Sequence, residues 1–322
     1  MKKTIYVLFG IICLAFIASG FTDFAYGTSI ILALFFPACF LVFLHKIDVF
    51  EREKFKDILL VFMLGIVICA IGMFYPILRD AWLGSGDYNL IDMFIGVAIP
   101  EEIIKIIPVL IILKKTKFIN EPIDYLIYSS ASALAFAFME NIDYIYDYKE
   151  EGGGIVAIRS LMPSIMHMVT TSLIGVGLFF YKITKQKKHI FIFFITACLA
   201  HAVYNVFLPG VCLIIYSIYY AKLIHSLMNV SPFYNKEKIK EFNANGLFLL
   251  RIILAVCILD LIFTYYYHGS VNIITDYIWF AIAPFIIYKS ISSKPLIKGE
   301  ISIFSKTQKD ILNKYYTEST KK

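Results

Sequence analysis

The stretch PEEIIK at residues 100–105 interrupts an apolar run, residues 91–113, that is long enough to cross a bilayer as a helix. Inserting each charged side chain into the membrane at that depth costs at least about 2.5–3.5 kcal/mol of free energy. Glu101 and Lys105 are four residues apart and share a helix face, so they can partly neutralise each other. Glu102 lies on a different face and has no local partner. The glutamate doublet therefore predicts a functional site whose remaining members come from other helices.

The composition predicts a polytopic membrane protein. Of the 322 residues, 59% are hydrophobic, and apolar runs of membrane-spanning length recur along the chain, which soluble domains seldom offer. The runs are continuous rather than alternating, which excludes an outer-membrane β-barrel. The net charge of +6 does not predict nucleic-acid binding, because most Lys and Arg residues lie in short loops between apolar runs, where they set topology.

We predict an all-α fold, a polytopic membrane helical bundle of about ten transmembrane helices. The expected spans are roughly 4–22, 28–45, 58–76, 91–113, 123–146, 160–181, 190–207, 211–224, 246–267 and 272–289. The first of them resembles a signal peptide, but we find no convincing cleavage site and expect it to be retained. Basic residues concentrate in alternate loops, which predicts that the N- and C-termini are both cytoplasmic.

The chain divides into four expected segments, with the chemistry in the second. They are transmembrane helices 1–3 at residues 1–90, a catalytic core of helices 4–7 at 91–210, helices 8–10 at 211–292, and a cytoplasmic tail at 293–322. The predicted location is a cell membrane, and the bias towards Ile, Lys, Tyr and Asn is typical of an AT-rich bacterium. The expected partners are the lipid bilayer and a membrane-anchored protein.

Four successive predicted spans carry ionisable groups at similar depths. Glu101 and Glu102 lie roughly 15 Å from the outer end of the fourth span, at about 1.5 Å per residue. Glu140 in the fifth span, His167 in the sixth and His201 in the seventh lie about 9–10 Å from the outer ends of theirs. Because successive spans cross the membrane in opposite directions, similar depths in all four would not be expected by chance. We therefore expect one site in the outer half of the membrane.

The residue types at this site suit hydrolysis. Two histidines and a carboxylate are the ligand set of a catalytic zinc ion that keeps a fourth position for water. We predict Zn²⁺ or another divalent metal, held by Glu140, His167 and His201. Glu101 or Glu102 would then be the general base that takes a proton from the metal-bound water. Asn205, one turn after His201, would donate to a developing oxyanion or hold a ligand in place.

Two other mechanisms use the same residues. A buried glutamate paired with a histidine can activate water without any metal. The carboxylates and histidines could instead form a relay in a transporter or ion-binding membrane protein. Transporters usually have repeated halves or broken helices around the site, and the sequence offers neither.

The motifs together resemble the PrsW family of polytopic intramembrane proteases, distant relatives of the CAAX-processing and bacteriocin-immunity membrane proteases. The resemblance covers about residues 90–210 and rests on five motifs: EExxK from Glu101, EPIDYLIY from Glu121, FxxxENxxY from Phe136, RxxxxxxxHxxxTxxxG from Arg159 and HxxxN from His201. It implies hydrolysis of a peptide bond in the outer part of the membrane. The family's named member makes the first cut in a membrane-bound anti-sigma factor.

This chain departs from related sequences at two positions. CAAX-type enzymes carry a histidine where this chain has Glu140, so their mechanism transfers poorly. Family members carry Asp-Gly where this chain has Asp124 and Tyr125, a position that we interpret as structural.

Overall fold

The computed structural model describes residues 24–72, 89–147, 153–207, 209–242 and 296–319, with scattered positions between 10 and 18 and between 244 and 292. These residues are helical or lie in turns and loops, without a strand among them. The predicted all-α class is thereby confirmed. The predicted spans 4–22, 246–267 and 272–289 lie for the most part outside the described residues.

We number the longer helices α1 to α8 in chain order. They are α1 Phe24–Ile47, α2 Phe55–Gly72, α3 Ile99–Lys115, α4 Pro122–Asp147, α5 Gly153–Thr184, α6 Lys188–Val206, α7 Pro209–Met228 and α8 Lys306–Ser319. A helical turn, Leu90–Asp92, and a π-helix, Met93–Ala98, lead directly into α3.

Within the described part of the chain, five segments are long and apolar enough to cross a membrane. They are Ser29–Ile47, Phe55–Gly72, Leu161–Thr184, Lys188–Val206 and Pro209–Met228, which correspond to the second, third, sixth, seventh and eighth predicted spans. The fourth and fifth predicted spans form α3 and α4, which carry buried ionisable side chains. The total of about ten spans and the orientation of the termini stay predictions.

Helix α4 lies at the centre of the bundle. It packs against α1, α2, α3, α5 and α7 and is buried along most of its length. Two glycines of neighbouring helices allow close approach, as is typical of helix pairs in membranes. A Cβ atom on Gly65 of α2 would lie 2.6 Å from the Cβ of Ala135, and one on Gly175 of α5 would lie 2.3 Å from the carbonyl oxygen of Tyr125. This tight packing fixes α2 and α5 against α4.

The chain enters α3 through the π-helix, Met93–Ala98. Pro100 follows it and has no N–H group to donate to the carbonyl group four residues earlier. Single π-helical turns of this kind occur frequently at functional sites, where they change the direction of the side chains that follow. Glu101 and Glu102 come immediately after this irregular turn.

Candidate active site

Six ionisable side chains from four helices meet inside the bundle. They are Glu101, Glu102 and Lys105 of α3, Glu140 of α4, His167 of α5 and His201 of α6. All are buried except Glu140, whose side chain is 27% exposed. The residues predicted from four successive spans thus lie in one cluster, which we call the Glu/His cluster.

The ammonium group of Lys105 lies at the centre of this cluster. It donates to Glu101 Oε2 at 3.1 Å, to Glu102 Oε1 at 3.1 Å and to His167 Nδ1 at 2.7 Å. An ammonium group has three donors, so all of them are used. Its nitrogen also lies 4.2 Å from the centroid of the Phe136 ring, a favourable cation–π contact. Lys105 therefore neutralises both members of the glutamate doublet, and the expectation that Glu102 has no local partner is wrong, because residues three apart on a helix can also pair.

Glu102 is the anchor of the cluster. Its Oε1 also accepts hydrogen bonds from the Thr170 hydroxyl at 3.0 Å and from Nδ1 of His201 at 3.0 Å, and its Oε2 accepts one from the Thr171 hydroxyl at 2.7 Å. Its side chain is 0% exposed. With both oxygens engaged and shielded, Glu102 is better suited to positioning α5 and α6 than to accepting a proton from water.

Each histidine is oriented by a carboxylate. Because Lys105 can only donate, Nδ1 of His167 accepts, and its Nε2–H donates to Glu140 Oε2 at 2.9 Å. In His201, Nδ1–H donates to Glu102, and a neutral ring then has a lone pair on Nε2. A carboxylate that fixes the ring orientation and tautomer in this way is the usual partner of a metal-binding histidine.

The donor set fits a metal ion. Glu101, His167 and His201 each offer one ligand atom, and these three atoms lie within 4.8 Å of one another. Nε2 of His201 lies 3.5 Å from Glu101 Oε2, so with a neutral imidazole two acceptors face each other without a proton between them. A cation would satisfy both. Two imidazoles with a carboxylate suit zinc, and a divalent ion would balance the charge of three carboxylates beside one ammonium group.

The contacts of two predicted residues bear on the roles expected for them. Glu140, predicted as a metal ligand, lies against Nε2 of His167, while Glu101 is the carboxylate grouped with both histidines. Asn205 is exposed near the end of α6 and has no hydrogen bond to the cluster among the described residues. Its predicted role at an oxyanion therefore has no contact to support it.

Sequence reasoning missed how the cluster is held together. The sequence did not predict that the hydroxyls of Thr170 and Thr171 both donate to Glu102. Their positions, three and four residues after His167, place them one turn along the same helix. That spacing was the available signal.

Comparison with known proteins shows similarity to a family model and to a curated protein. A family model described as "PrsW family intramembrane metalloprotease" matches residues 53–230, which include every residue of the Glu/His cluster. Among curated proteins, Protease PrsW of Geobacillus kaustophilus (strain HTA426) is 25% identical over 162 residues, which cover 49% of this chain and 69% of the relative. No solved structure matches the chain. Because the family model covers more than half of its length, this chain belongs to the PrsW family of intramembrane proteases.

Proposed function

We propose that this protein hydrolyses a peptide bond of a membrane-anchored protein with water activated in the Glu/His cluster. The observation that carries the proposal is the meeting of Glu101, Glu140, His167 and His201 from four helices inside an apolar bundle. Ionisable groups within a membrane raise the free energy of insertion, and those that are present usually have a function. Membership of the PrsW family makes proteolysis the reaction that this cluster serves.

We assign the metal-binding role to Glu101, His167 and His201, in agreement with the family's description as metalloproteases. A zinc ion bound there would supply a water molecule with a pKa lowered towards neutrality. Lys105 donates to Nδ1 of His167, the nitrogen that the contact between Nε2 and Glu140 leaves for a metal ion. The ammonium group and a bound metal ion would therefore compete for Nδ1. In the metal-free alternative, Lys105 keeps this contact and a glutamate alone activates the water.

Glu140 is our candidate for the general base. It is the most exposed carboxylate of the cluster, at 27% against 11% for Glu101 and 0% for Glu102. A base must reach water, and general-base catalysis contributes about 10²–10⁴-fold to rate. This assignment exchanges the roles that the sequence predicted for Glu101 and Glu140. Glu102 is a positioning residue that holds Lys105 and His201.

The proposed substrate is a single-span regulatory protein of the anti-sigma-factor kind, cut near the outer face of the membrane. The depth of the ionisable groups along the predicted spans supports this location, since the histidines and Glu140 lie about 9–10 Å below the outer ends of their spans. Water would reach them over a shorter distance than from the opposite face.

The test combines metal content with cleavage. The purified protein and its Glu101→Gln and Glu140→Gln variants would be analysed for bound zinc and reconstituted with a panel of single-span model substrates. We expect Glu101→Gln to lose zinc and Glu140→Gln to keep it, while both lose cleavage by about 10²-fold or more.

Each other outcome contradicts a stated part of the proposal. Loss of zinc from Glu140→Gln alone would restore the ligand set predicted from the sequence. A zinc-free parent enzyme that cleaves in the presence of a chelator would establish the metal-free mechanism. Unchanged cleavage by both variants would remove the Glu/His cluster from catalysis.

A further inference from the structure

A second group of carboxylates lies at the other end of α4. Asp48 belongs to the loop after α1, and Glu121 and Asp124 lie at the start of α4. One oxygen of each residue lies within 4.8 Å of one oxygen of each of the others. Asp124 precedes Glu140 by 16 residues, about 24 Å along the helix at about 1.5 Å per residue. We call these three residues the acidic cluster, and it is separate from the catalytic one.

Each carboxylate of the acidic cluster is fixed through one oxygen only. Asp48 Oδ1 accepts two backbone N–H groups from the loop that follows it, at 3.0 and 3.2 Å. Asp124 Oδ2 accepts two backbone N–H groups just before α4, at 2.7 and 2.9 Å. Glu121 Oε2 accepts the hydroxyl of Ser231, which follows α7. Backbone and hydroxyl donors thus hold all three side chains in place.

The other oxygen of each carboxylate has no hydrogen-bond donor among the described residues. Asp48 Oδ2, Glu121 Oε1 and Asp124 Oδ1 are buried and accept no hydrogen bond from the described part of the chain, and all three residues are 0% exposed. Buried polar atoms are almost always paired. Three unpaired oxygens in neighbouring residues, each with its companion oxygen anchored, form the pattern of a ligand set rather than of isolated defects.

No ion pair balances the acidic cluster within the described part of the chain, although the ammonium group of Lys182 lies close enough to Asp124 for the two charges to interact. None of its three carboxylates forms an ion pair with a described Lys, Arg or His residue. The neighbouring Glu53, bonded to the Tyr128 hydroxyl, adds a further negative group. Gathering these groups is therefore unfavourable unless a cation or protons balance them.

We propose that Asp48, Glu121 and Asp124 bind a hard divalent cation of the Ca²⁺ or Mg²⁺ class. Such ions take carboxylate oxygens as ligands, with Ca²⁺–oxygen distances of about 2.3–2.6 Å, so ligand oxygens up to about 4.8 Å apart can share one ion. The set contains no imidazole or thiolate, which separates it from the nitrogen-containing Glu/His cluster. The bound ion ties the loop after α1 to the start of α4, and through Ser231 to the segment after α7.

The test uses Mn²⁺ as a paramagnetic probe on the full-length protein in detergent. To keep the catalytic site out of the measurement, binding is followed in the His167→Ala variant, by the loss of the free Mn²⁺ resonance. We expect one Mn²⁺ to bind, Ca²⁺ or Mg²⁺ to displace it, and saturating cation to raise the unfolding temperature. Adding Asp48→Asn or Asp124→Asn should weaken Mn²⁺ binding at least tenfold and abolish the thermal shift.

The control is Glu237→Gln, an exposed carboxylate-to-amide change that should leave Mn²⁺ binding unchanged. Absence of Mn²⁺ binding to the folded His167→Ala protein would overturn the proposal, and this result does not depend on how the acidic-cluster variants fold. Equal Mn²⁺ binding by Asp48→Asn would also overturn it. Higher thermal stability of Asp48→Asn, without any effect of cations, would identify a cluster that shares protons instead.

Discussion

Replacing Thr171 by valine tests whether Glu102 is a fixed anchor. Thr171 donates its hydroxyl to Glu102 Oε2 at 2.7 Å, and no other described residue donates to that oxygen. Valine keeps the branched shape of threonine and removes the donor. The oxygen is then left without a partner in a side chain that is 0% exposed. The cost should therefore appear in stability and in activity.

The expected magnitude follows from two comparisons. Hydrogen bonds to charged groups contribute about 1.5–3 kcal/mol in soluble proteins. Those between transmembrane helices average about 0.6 kcal/mol and reach about 1.7 kcal/mol. Because the acceptor here is charged and fully buried, we expect the upper end of the membrane range, a loss of about 1.5 kcal/mol in the free energy of unfolding.

The assay is reversible unfolding in mixed micelles, followed by helical circular dichroism. The matched control is Thr196→Val on α6, whose exposed hydroxyl bonds to the Ile192 carbonyl of its own helix at 2.8 Å. We expect less than about 0.5 kcal/mol for that surface change. A double-mutant cycle with Glu102→Gln should give a coupling energy of at least about 1 kcal/mol. Equal effects of the two threonine changes, or additivity with Glu102→Gln, would refute the anchoring role.

Three further substitutions test the helix packing, the charge balance of the Glu/His cluster and the role of Asn205. Gly175→Ala would place a Cβ atom 2.2 Å from Ser129 Oγ and 2.3 Å from the Tyr125 carbonyl oxygen, so we expect a loss of about 1–3 kcal/mol in unfolding free energy; an unchanged unfolding midpoint would contradict the close packing of α4 and α5. Lys105→Met removes the only described ammonium group among the carboxylates, so we expect a less stable protein that added Zn²⁺ stabilises, whereas no response to Zn²⁺ would count against a metal site. Asn205→Ala should keep cleavage within about twofold, because Asn205 is exposed and substitutions away from functional contacts have small effects; a loss of about 10²-fold would support the oxyanion role.

The membership of the Glu/His cluster was largely readable from the sequence. Glu101, Glu102, Glu140, His167 and His201 stand out because ionisable groups in apolar runs are costly, and counting residues from the outer ends of the spans gives similar depths. The all-helical fold was equally readable, because a chain that crosses a membrane in long apolar runs must form helices there. The bounds of the helices differ from the predicted spans by a few residues. Helix α7, for example, runs from Pro209 to Met228, where the predicted span was 211–224.

The contacts within the cluster were not readable. Depth along a helix gives position along one axis but not rotation about it, and rotation decides that Glu101 rather than Glu140 is grouped with both histidines. A different limit applies to Asn205. It lies one turn after His201 on the same helix face, but it is next to the last residue of α6 and is exposed there, while His201 is buried.

The acidic cluster was missed for a related reason. The position of Asp124 was interpreted as structural, and its Oδ2 does accept two backbone N–H groups just before α4. The proximity of Asp48 to Glu121 could not be predicted, because the two residues are more than seventy residues apart in sequence. They come together only through the packing of α1 against α4.

His201→Ala is the sharpest test of whether the Glu/His cluster performs the cleavage. The parent protein and this variant would be reconstituted with single-span model substrates, and new N-termini would be quantified over time, with folding checked by circular dichroism. We expect the folded variant to cleave at least about 10²-fold more slowly than the parent. Cleavage within about twofold of the parent rate would show that the Glu/His cluster is not the catalytic site.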